Sequence, residues 1–322
     1  MKNKSLEILC SCTFFLALLV TMGWLPTPAT STSKTSVIEI EKNKAHEPAA
    51  RKKIAFIAGA CSHGPGEHEH NAGCTLLASQ LNNQLGNLVE ATVFQGWPTD
   101  TTVLNDVSGI VLYMDGAEGH LALKHLQHLE TLMQKGVGLA CIHYAVEVPK
   151  DNGGPEFKRW IGGYFETFWS INPHWEATYN SLPTHAVTRG VKPFTVNDEW
   201  YYHMRFNDDM KGVTPILTAI PPASTLTKKD GPRDNNEFGR KEQGQPQHMC
   251  WVTERPDRGR GFAFTGGHFH KNWRDENFRK LVLNGIAWTA RVEVPKNGVP
   301  APALSDAELM VNLDQKPCVR NR

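Results

Sequence analysis

Neither sign of charge is in surplus: 34 lysines and arginines face 33 aspartates and glutamates, a formal net charge of +1. No basic tract breaks the balance, which excludes the electrostatic footprint that nucleic-acid binding requires. No internal repeat is found, so a repeat array is excluded. Long apolar runs are missing beyond the amino terminus, which excludes a chain that crosses a membrane many times. Cysteine is sparse, with seven in 322 residues, whereas histidine, with fourteen, is plentiful.

The amino terminus has its own logic. "MKNK" is positive, "LEILCSCTFFLALLVTMGWL" is mostly apolar, and "PTPATS" supplies small residues where a peptidase could cut, after Ala29 or Ser31. Residues 1–30 therefore read as a bacterial-type secretory signal, and the protein is expected to be periplasmic or secreted. An uncleaved anchor is the alternative, because the apolar run is nearly long enough to span a bilayer. Residues 31–50 are polar and aperiodic, as in a linker. Removing the signal takes Cys10 and Cys12 with it and leaves Cys61, Cys74, Cys141, Cys250 and Cys318. An odd number requires one free or intermolecular thiol. Cys61 and Cys74 bracket a histidine-rich loop and could staple it in an oxidising compartment; alternatively Cys74 packs in the core of the first helix.

From residue 51 the pattern is α/β. "KKIAFIAG", "GIVLYMDG", "GVGLACIHY" and "GRGFAFTGG" are short apolar runs of the kind that form strands buried on both faces. Between them lie helical stripes. Leu77, Leu81, Leu85 and Leu88 follow Asn71 as N-cap; Ala122, Leu126, Leu129 and Met133 stop at Gly136; Phe278, Leu281, Val282, Gly285 and Ile286 close the domain. His125 and His128 fall off their stripe and read as surface. The alternation predicts a mostly parallel sheet covered by helices on both faces, a flavodoxin-like three-layer sandwich spanning residues 51–293, with 294–322 as an extended tail holding one helical turn. Residues 147–246 are rich in Pro, Gly and Trp and read as irregular insertions that wall a site; "PRDNNEFGRKEQGQPQ" within them reads as an exposed loop.

Ligands of open α/β sheets bind beyond the carboxyl ends of the strands. Four segments are expected to meet there: the loop with His63, Glu67, His68, Glu69 and His70; the tip of "GLACIHYAVE", with His143 and Glu147; "NDEWYYH", with Asp198, Glu199 and Tyr201; and "FTGGHFHKNW", with His268 and His270. His63, His143, His268 and Glu199 are the candidate catalytic groups, with Glu199 as base. His68 and His70, one residue apart, share a face if the segment is extended; with His143 they form the candidate ligand set for one divalent metal ion. Glu67, Trp169, Trp200, Tyr201 and His270 are candidate substrate-binding residues, the aromatics suiting stacking on sugar rings. His174, His185 and His203 sit in irregular sequence and carry no assignment.

"GLACIHYA", "IGGYFE", "THAVTRGV" followed by "FTVNDEWY", "GGHFHKNW" and "LVLNGIAW" occur in an order that resembles the ThuA-like (trehalose utilisation) family, and "HGPGEHEHNAGC" resembles a loop of its secreted members. The resemblance covers about residues 51–293 and implies a class I glutamine amidotransferase-like fold. In that fold a sharp strand-to-helix turn carries a nucleophilic cysteine. Here His143 occupies the position, and His270 replaces the glutamate that follows the fold's second histidine, here His268. Imidazole cannot do thiolate chemistry, so cysteine-dependent amidotransfer is not expected. Use of Cys141 as the nucleophile is disfavoured by the apolar run around it. The resemblance further implies disaccharide or oxidised-sugar metabolism and, in some members, a bound metal.

These readings predict an exported carbohydrate-active protein, an enzyme acting on a glycoside or keto-sugar by histidine/glutamate acid–base or metal-assisted chemistry. The alternative is a non-catalytic sugar-binding or accessory protein of an oxidoreductase pathway. The expected partner is a small carbohydrate. No nucleic acid and no membrane beyond the signal segment are expected, and a homo-oligomer is left open.

Overall fold

The computed structural model describes residues 50–318 together with Gly23, so the signal and linker expectations lie outside the described residues. No helix among the described residues is long and apolar enough to cross a membrane.

Seven strands form the main sheet: β1 (Lys52–Ala58), β2 (Val89–Gln95), β3 (Gly109–Tyr113), β4 (Gly138–Ile142), β9 (Val213–Ala219), β10 (Gln247–Glu254) and β11 (Arg260–Phe264), in the order β2-β1-β3-β4-β11-β10-β9. The first five run parallel; β10 and β9 add antiparallel at one edge. Two small two-stranded sheets, β5 (Gly163–Tyr164) with β8 (Arg205–Phe206) and β6 (His174–Tyr179) with β7 (Phe194–Glu199), belong to the insertions.

Alternation along β1 shows why the apolar runs are unbroken. Ile54, Phe56 and Ala58 enter one core cluster, which also holds Leu77 and Leu81 of α1 (His70–Leu85) and Phe278, Leu281 and Val282 of α5 (Glu276–Thr289). Ala55 and Ile57 enter the other, with Leu129 and Met133 of α2 (Leu126–Gln134) and Phe157 and Trp160 of α3 (Gly154–Ile161). A two-residue period sends successive side chains to opposite faces, so a sheet covered on both sides needs apolar residues at every position. This is the three-layer sandwich the sequence predicts. Helix α5 approaches closely because residue 285 is glycine; a Cβ there would meet the Phe262 ring at 2.4 Å.

Several boundaries differ from expectation. Helix α1 begins at His70, with Glu69 rather than Asn71 at the N-cap. The predicted exposed loop in the insertions contains α4 (Glu237–Lys241) and buries Asn236, whose side chain accepts from the Gly239 N–H at 2.9 Å. The carboxy-terminal segment is packed rather than extended: Val294, Val299, Ala301, Leu304 and Leu309, the last in α6 (Asp306–Leu309), join the first core cluster. The Cys61–Cys74 staple is not formed. Cys61 pairs instead with Cys318, while Cys74, Cys141 and Cys250 are free and buried.

Candidate functional site

Four parallel strands deliver polar groups to one edge of the sheet, each just past its carboxyl end. After β1 comes the loop bearing His63 and His68, after β3 Asp115, after β4 His143, and after β11 the Gly266-Gly267-His268 turn. The chain leaves β1 towards β2 on one side and returns through β3 on the other, so His68 and Asp115 flank the switch point where such sheets form their crevice.

Three local devices aim these side chains. His143 follows β4 directly with φ +56°, a left-handed conformation unusual outside glycine. The sharp turn implied by the resemblance is present, with imidazole in the nucleophile's place. Gly267 has φ +111°, which a side chain would disfavour. The buried Asp198 carboxylate accepts from the Gly267 N–H at 2.9 Å and the His268 N–H at 3.0 Å, holding the turn. Glu199 ends β7, and its cross-strand partner is His174 of β6.

The result is a tight cluster of His68, His143, His268 and Glu199, whose ligand-capable atoms all lie within 4.8 Å of one another. His68 Nε2 is 3.1 Å from His143 Nε2 and 3.0 Å from His268 Nδ1. Glu199 Oε2 is 3.1 Å from His268 Nδ1 and 3.4 Å from His143 Nε2. The outward nitrogens decide the tautomers. His68 Nδ1 donates to Asp115 Oδ1 at 2.8 Å and His143 Nδ1 donates to the Thr265 carbonyl at 2.8 Å. A neutral imidazole with a protonated Nδ1 has a bare Nε2. Two lone pairs therefore face each other at 3.1 Å beside an anionic oxygen. Such an arrangement calls for positive charge at its centre, supplied by a proton or by a cation.

A divalent cation fits. Four of the six distances among the ligand atoms are 3.0–3.4 Å and all are within 4.8 Å, a spacing compatible with one ion at bonds of about 2.0–2.1 Å. Three imidazoles and one carboxylate are a donor set suited to zinc, iron or a similar transition metal. The ligands are themselves held, as metal ligands are: His68 by Asp115, His143 by Thr265, and Glu199 through Oε1, which accepts from Asn172 Nδ2 at 3.1 Å. Because Asp115 orients His68 without belonging to the four, Asp115→Asn should weaken divalent-ion binding by about 10–100-fold, read by competition with a metal indicator.

Electrostatics favour positive charge at the centre of the cluster. Burial alone would raise the Glu199 carboxyl, but hydrogen bonds and charge from His143 and His268 outweigh it and hold the carboxylate below its ordinary range. So weak a base is a good anionic ligand and a poor proton acceptor. Burial lowers His68 to about 2, which keeps it unprotonated. Burial also opposes protonation of His268, yet Glu199 wins and raises it.

Of the remaining predicted residues, Tyr201 belongs to the site; its hydroxyl donates to Glu199 Oε2 at 3.2 Å and lies 3.3 Å from His143 Nε2. Glu67 and His63 form the rim. Glu67 Oε1 is 3.6 Å from His268 Nε2, and the His63 ring, with 39% of its side chain exposed, stacks on His68 at 3.5 Å. His70 does not join the ligand set. His68 has φ +45° and α1 starts at His70, so the shared face of an extended segment is lost. His70 Nδ1 donates to the Ala60 carbonyl at 3.1 Å. His270 is a structural residue too, donating from Nε2 to the Leu309 carbonyl at 2.8 Å. Neither tryptophan is available to a sugar. Trp200 is wholly buried, and Trp169 is covered by the Arg205 guanidinium, 3.3 Å from its ring centroid, and by the stacked His203. Glu147 is buried and paired with Arg233 at 2.8 Å.

Asp115 and His174 went unassigned in the sequence. Asp115 follows "GIVLYM" at a strand tip, so the rule that picked out His143 also points to it. His174 carried no signal; it reaches the site by pairing with Glu199, its Nε2 lying 3.8 Å from Oε1. A cleft of about 860 Å³ lined by Glu130, Trp160, Asp208 and Arg255 contains none of these histidines.

The scaffold and the strand-tip turn define a mixed α/β protein of the class I glutamine amidotransferase-like fold. Within it the chain belongs to the ThuA family, described as trehalose utilisation, which it matches over residues 57–289. It resembles the crystal structure of a ThuA-like protein from Bacteroides uniformis, with TM-score 0.53 and 17% identity, over 74% of this chain and 91% of that one. A second, from Parabacteroides merdae, gives TM-score 0.51 and 17% identity over 83% of this chain and all of that one. Comparison with curated proteins gives no match.

Proposed function

We propose that the chain is an exported, cation-dependent enzyme that acts on a glycoside or on a keto-sugar derived from a disaccharide. One observation carries the reading: the bare Nε2 atoms of His68 and His143 meet at 3.1 Å, beside Glu199 and His268. Membership of a family described by trehalose utilisation supports the sugar.

His68, His143, His268 and Glu199 would hold the ion, which when bound polarises a carbonyl or hydroxyl oxygen and acidifies bound water. Tyr201 holds the Glu199 carboxylate by donating to it, and burial raises its phenol well above the ordinary value, so it remains a donor. Proton transfer falls to the rim instead of to Glu199. The side chains of His63 and His174 are 39% and 50% exposed. Partial burial lowers both imidazoles, leaving them neutral at pH 7 and able to accept a proton. Cys141 plays no part: it is buried, and burial raises its thiol far above the range in which a thiolate forms.

Elemental analysis of the mature protein should find one divalent ion per chain. Chelation should abolish turnover of a panel of oxidised and unoxidised disaccharides. At one hundred times Kd the ion should add about 2.7 kcal/mol of stability, a rise in thermal midpoint of roughly 4–5 °C for a chain of this size. Sugar binding without turnover by the metal-loaded protein would instead identify a non-catalytic binder, and absence of both metal and midpoint shift would remove the cation from the reading.

A further inference from the structure

The loop that carries His63 and His68 has little secondary structure of its own. It contains two non-glycine residues at positive φ, both of them site histidines, and its backbone link to the rest of the site is one isolated bridge between Glu67 and Phe269, in which the His68 N–H donates to the His268 carbonyl at 3.0 Å and the His270 N–H to the Gly66 carbonyl at 2.9 Å; Ser62 and His68 add side-chain bonds to Asp115. The carboxy-terminal tail provides the missing support. Lys316 Nζ donates to the Gly64 carbonyl at 3.0 Å and to the Glu67 carbonyl. The same ammonium lies 3.3 Å from Glu69 Oε1, and both side chains are 1% exposed. Glu69 Oε2 accepts from the Asp314 N–H at 2.8 Å, and its Oε1 from the Gly66 N–H at 3.0 Å. On the far side His270, two residues from the ligand His268, donates to the tail's Leu309 carbonyl. The disulfide between Cys61 and Cys318 then fastens the tail to the loop's first residues.

The energetics make this support conditional. A buried ammonium is tolerable only beside its carboxylate and carbonyl partners, and the carboxylate only beside its ammonium. Lys316 and Glu69 therefore favour either a seated tail or one fully released into water. Without the covalent link, seating the tail means ordering an irregular segment beyond α6. With the link, Lys316 is two residues from an anchored point and its search is local.

We infer that the tail is a strap that completes the cation centre, so that Lys316 is a positioning residue for His68 and the thiol–disulfide state of Cys61 and Cys318 sets affinity for the ion. The inference rests on the cation reading of the four-residue cluster. The step is an exchange: two protein thiols and one external disulfide become one protein disulfide and two external thiols, the protons passing to the released thiols. Both cysteines are half-buried and so within reach of an exchange partner, whereas Cys74, Cys141 and Cys250 are fully buried. An exported chain would thus gain its full affinity only after reaching an oxidising compartment. Coupling is reciprocal, so the bound ion protects the disulfide to the same degree that the disulfide tightens the ion.

Titration of the metal-free, oxidised full-length mature chain with Co²⁺, followed by its visible absorption bands, tests this. The double variant Cys61→Ser/Cys318→Ser stands in for the dithiol state without added reductant. It should bind Co²⁺ about 10–100-fold more weakly, the range for groups that orient a ligand. A tenfold coupling would shift the disulfide's potential by about 30 mV on metal binding. Lys316→Met should weaken binding similarly and change the absorption bands, while Lys316→Arg should retain more of both. Should the double variant not fold, Cys318→Ser alone serves. Folded variants that bind Co²⁺ within twofold of the wild type, with unchanged bands, would overturn the strap and leave the cation site standing. A wild-type protein that takes up no Co²⁺ would overturn the cation reading, and the strap with it.

Discussion

His143→Ala is expected to abolish stoichiometric cation binding and, with it, any turnover that depends on the ion. His143 supplies one of the two opposed Nε2 lone pairs and is wholly buried, so no water-exposed side chain can take its place. The loss should exceed the about 10–100-fold expected for a residue such as Asp115 that merely supports a ligand. The metal-free proteins should differ much less. Substitution removes the hydrogen bond to the Thr265 carbonyl, but it also removes the confrontation of lone pairs with His68 and Glu199. The diagnostic quantity is therefore the stabilisation conferred by the ion, measured as thermal midpoint with and without Zn²⁺. Wild type should show the roughly 4–5 °C rise and His143→Ala none. A variant that keeps the full rise would show that the ion sits elsewhere.

How much of this was legible before the structure depends on the distance between cause and signal. The sheet was legible because burial on both faces writes itself locally, as in "KKIAFIA" and "GLACI". His143 and His268 were legible for a related reason: a polar ring at the end of a buried run, or after two glycines, contradicts its surroundings. Asp115 was equally visible at the tip of β3 but lay in an ordinary-looking turn. The ligand role of His70 was misread because the two-residue period applies only to extended backbone, and the left-handed turn at His68 ends it. Trp169 and Trp200 look like sugar platforms in composition, yet whether an aromatic face is free depends on what packs against it; Arg205 and His203 come from a different segment. The strap was least legible. Cys61 and Cys318 are 257 residues apart, and nothing in the local pattern around Lys316 names the carbonyls it will reach.

Stability of the metal-free protein should fall steeply between about pH 6.5 and pH 4.5, and His120→Gln should flatten that fall. Burial lowers both His70 and His120 from 6.5 to about 4. An imidazole whose folded pKa lies below its unfolded one takes up its proton only on unfolding. Its contribution is complete above pH 6.5 and is lost as the pH drops through 6.5 towards 4. Each such group contributes a slope of at most about 1.4 kcal/mol per pH unit in that window. His68, also lowered by burial, adds in the same direction. His268, raised by Glu199 against the opposing effect of burial, acts oppositely: its contribution is whole below pH 6.5 and disappears above its folded pKa. The maximum therefore falls near neutrality. His120 makes the clean test because it stands apart from the cation cluster and is fully satisfied as a neutral ring. Its Nε2 donates to the Ala145 carbonyl at 3.1 Å, and its Nδ1 accepts from the Ala122 N–H at 3.1 Å. A proton on Nδ1 would set two donors face to face. Glutamine offers a donor and an acceptor but does not titrate, so denaturant midpoints collected across this window should lose about one proton's worth of slope. An unchanged slope would mean that His120 already holds its proton in the folded protein, against both of its hydrogen bonds.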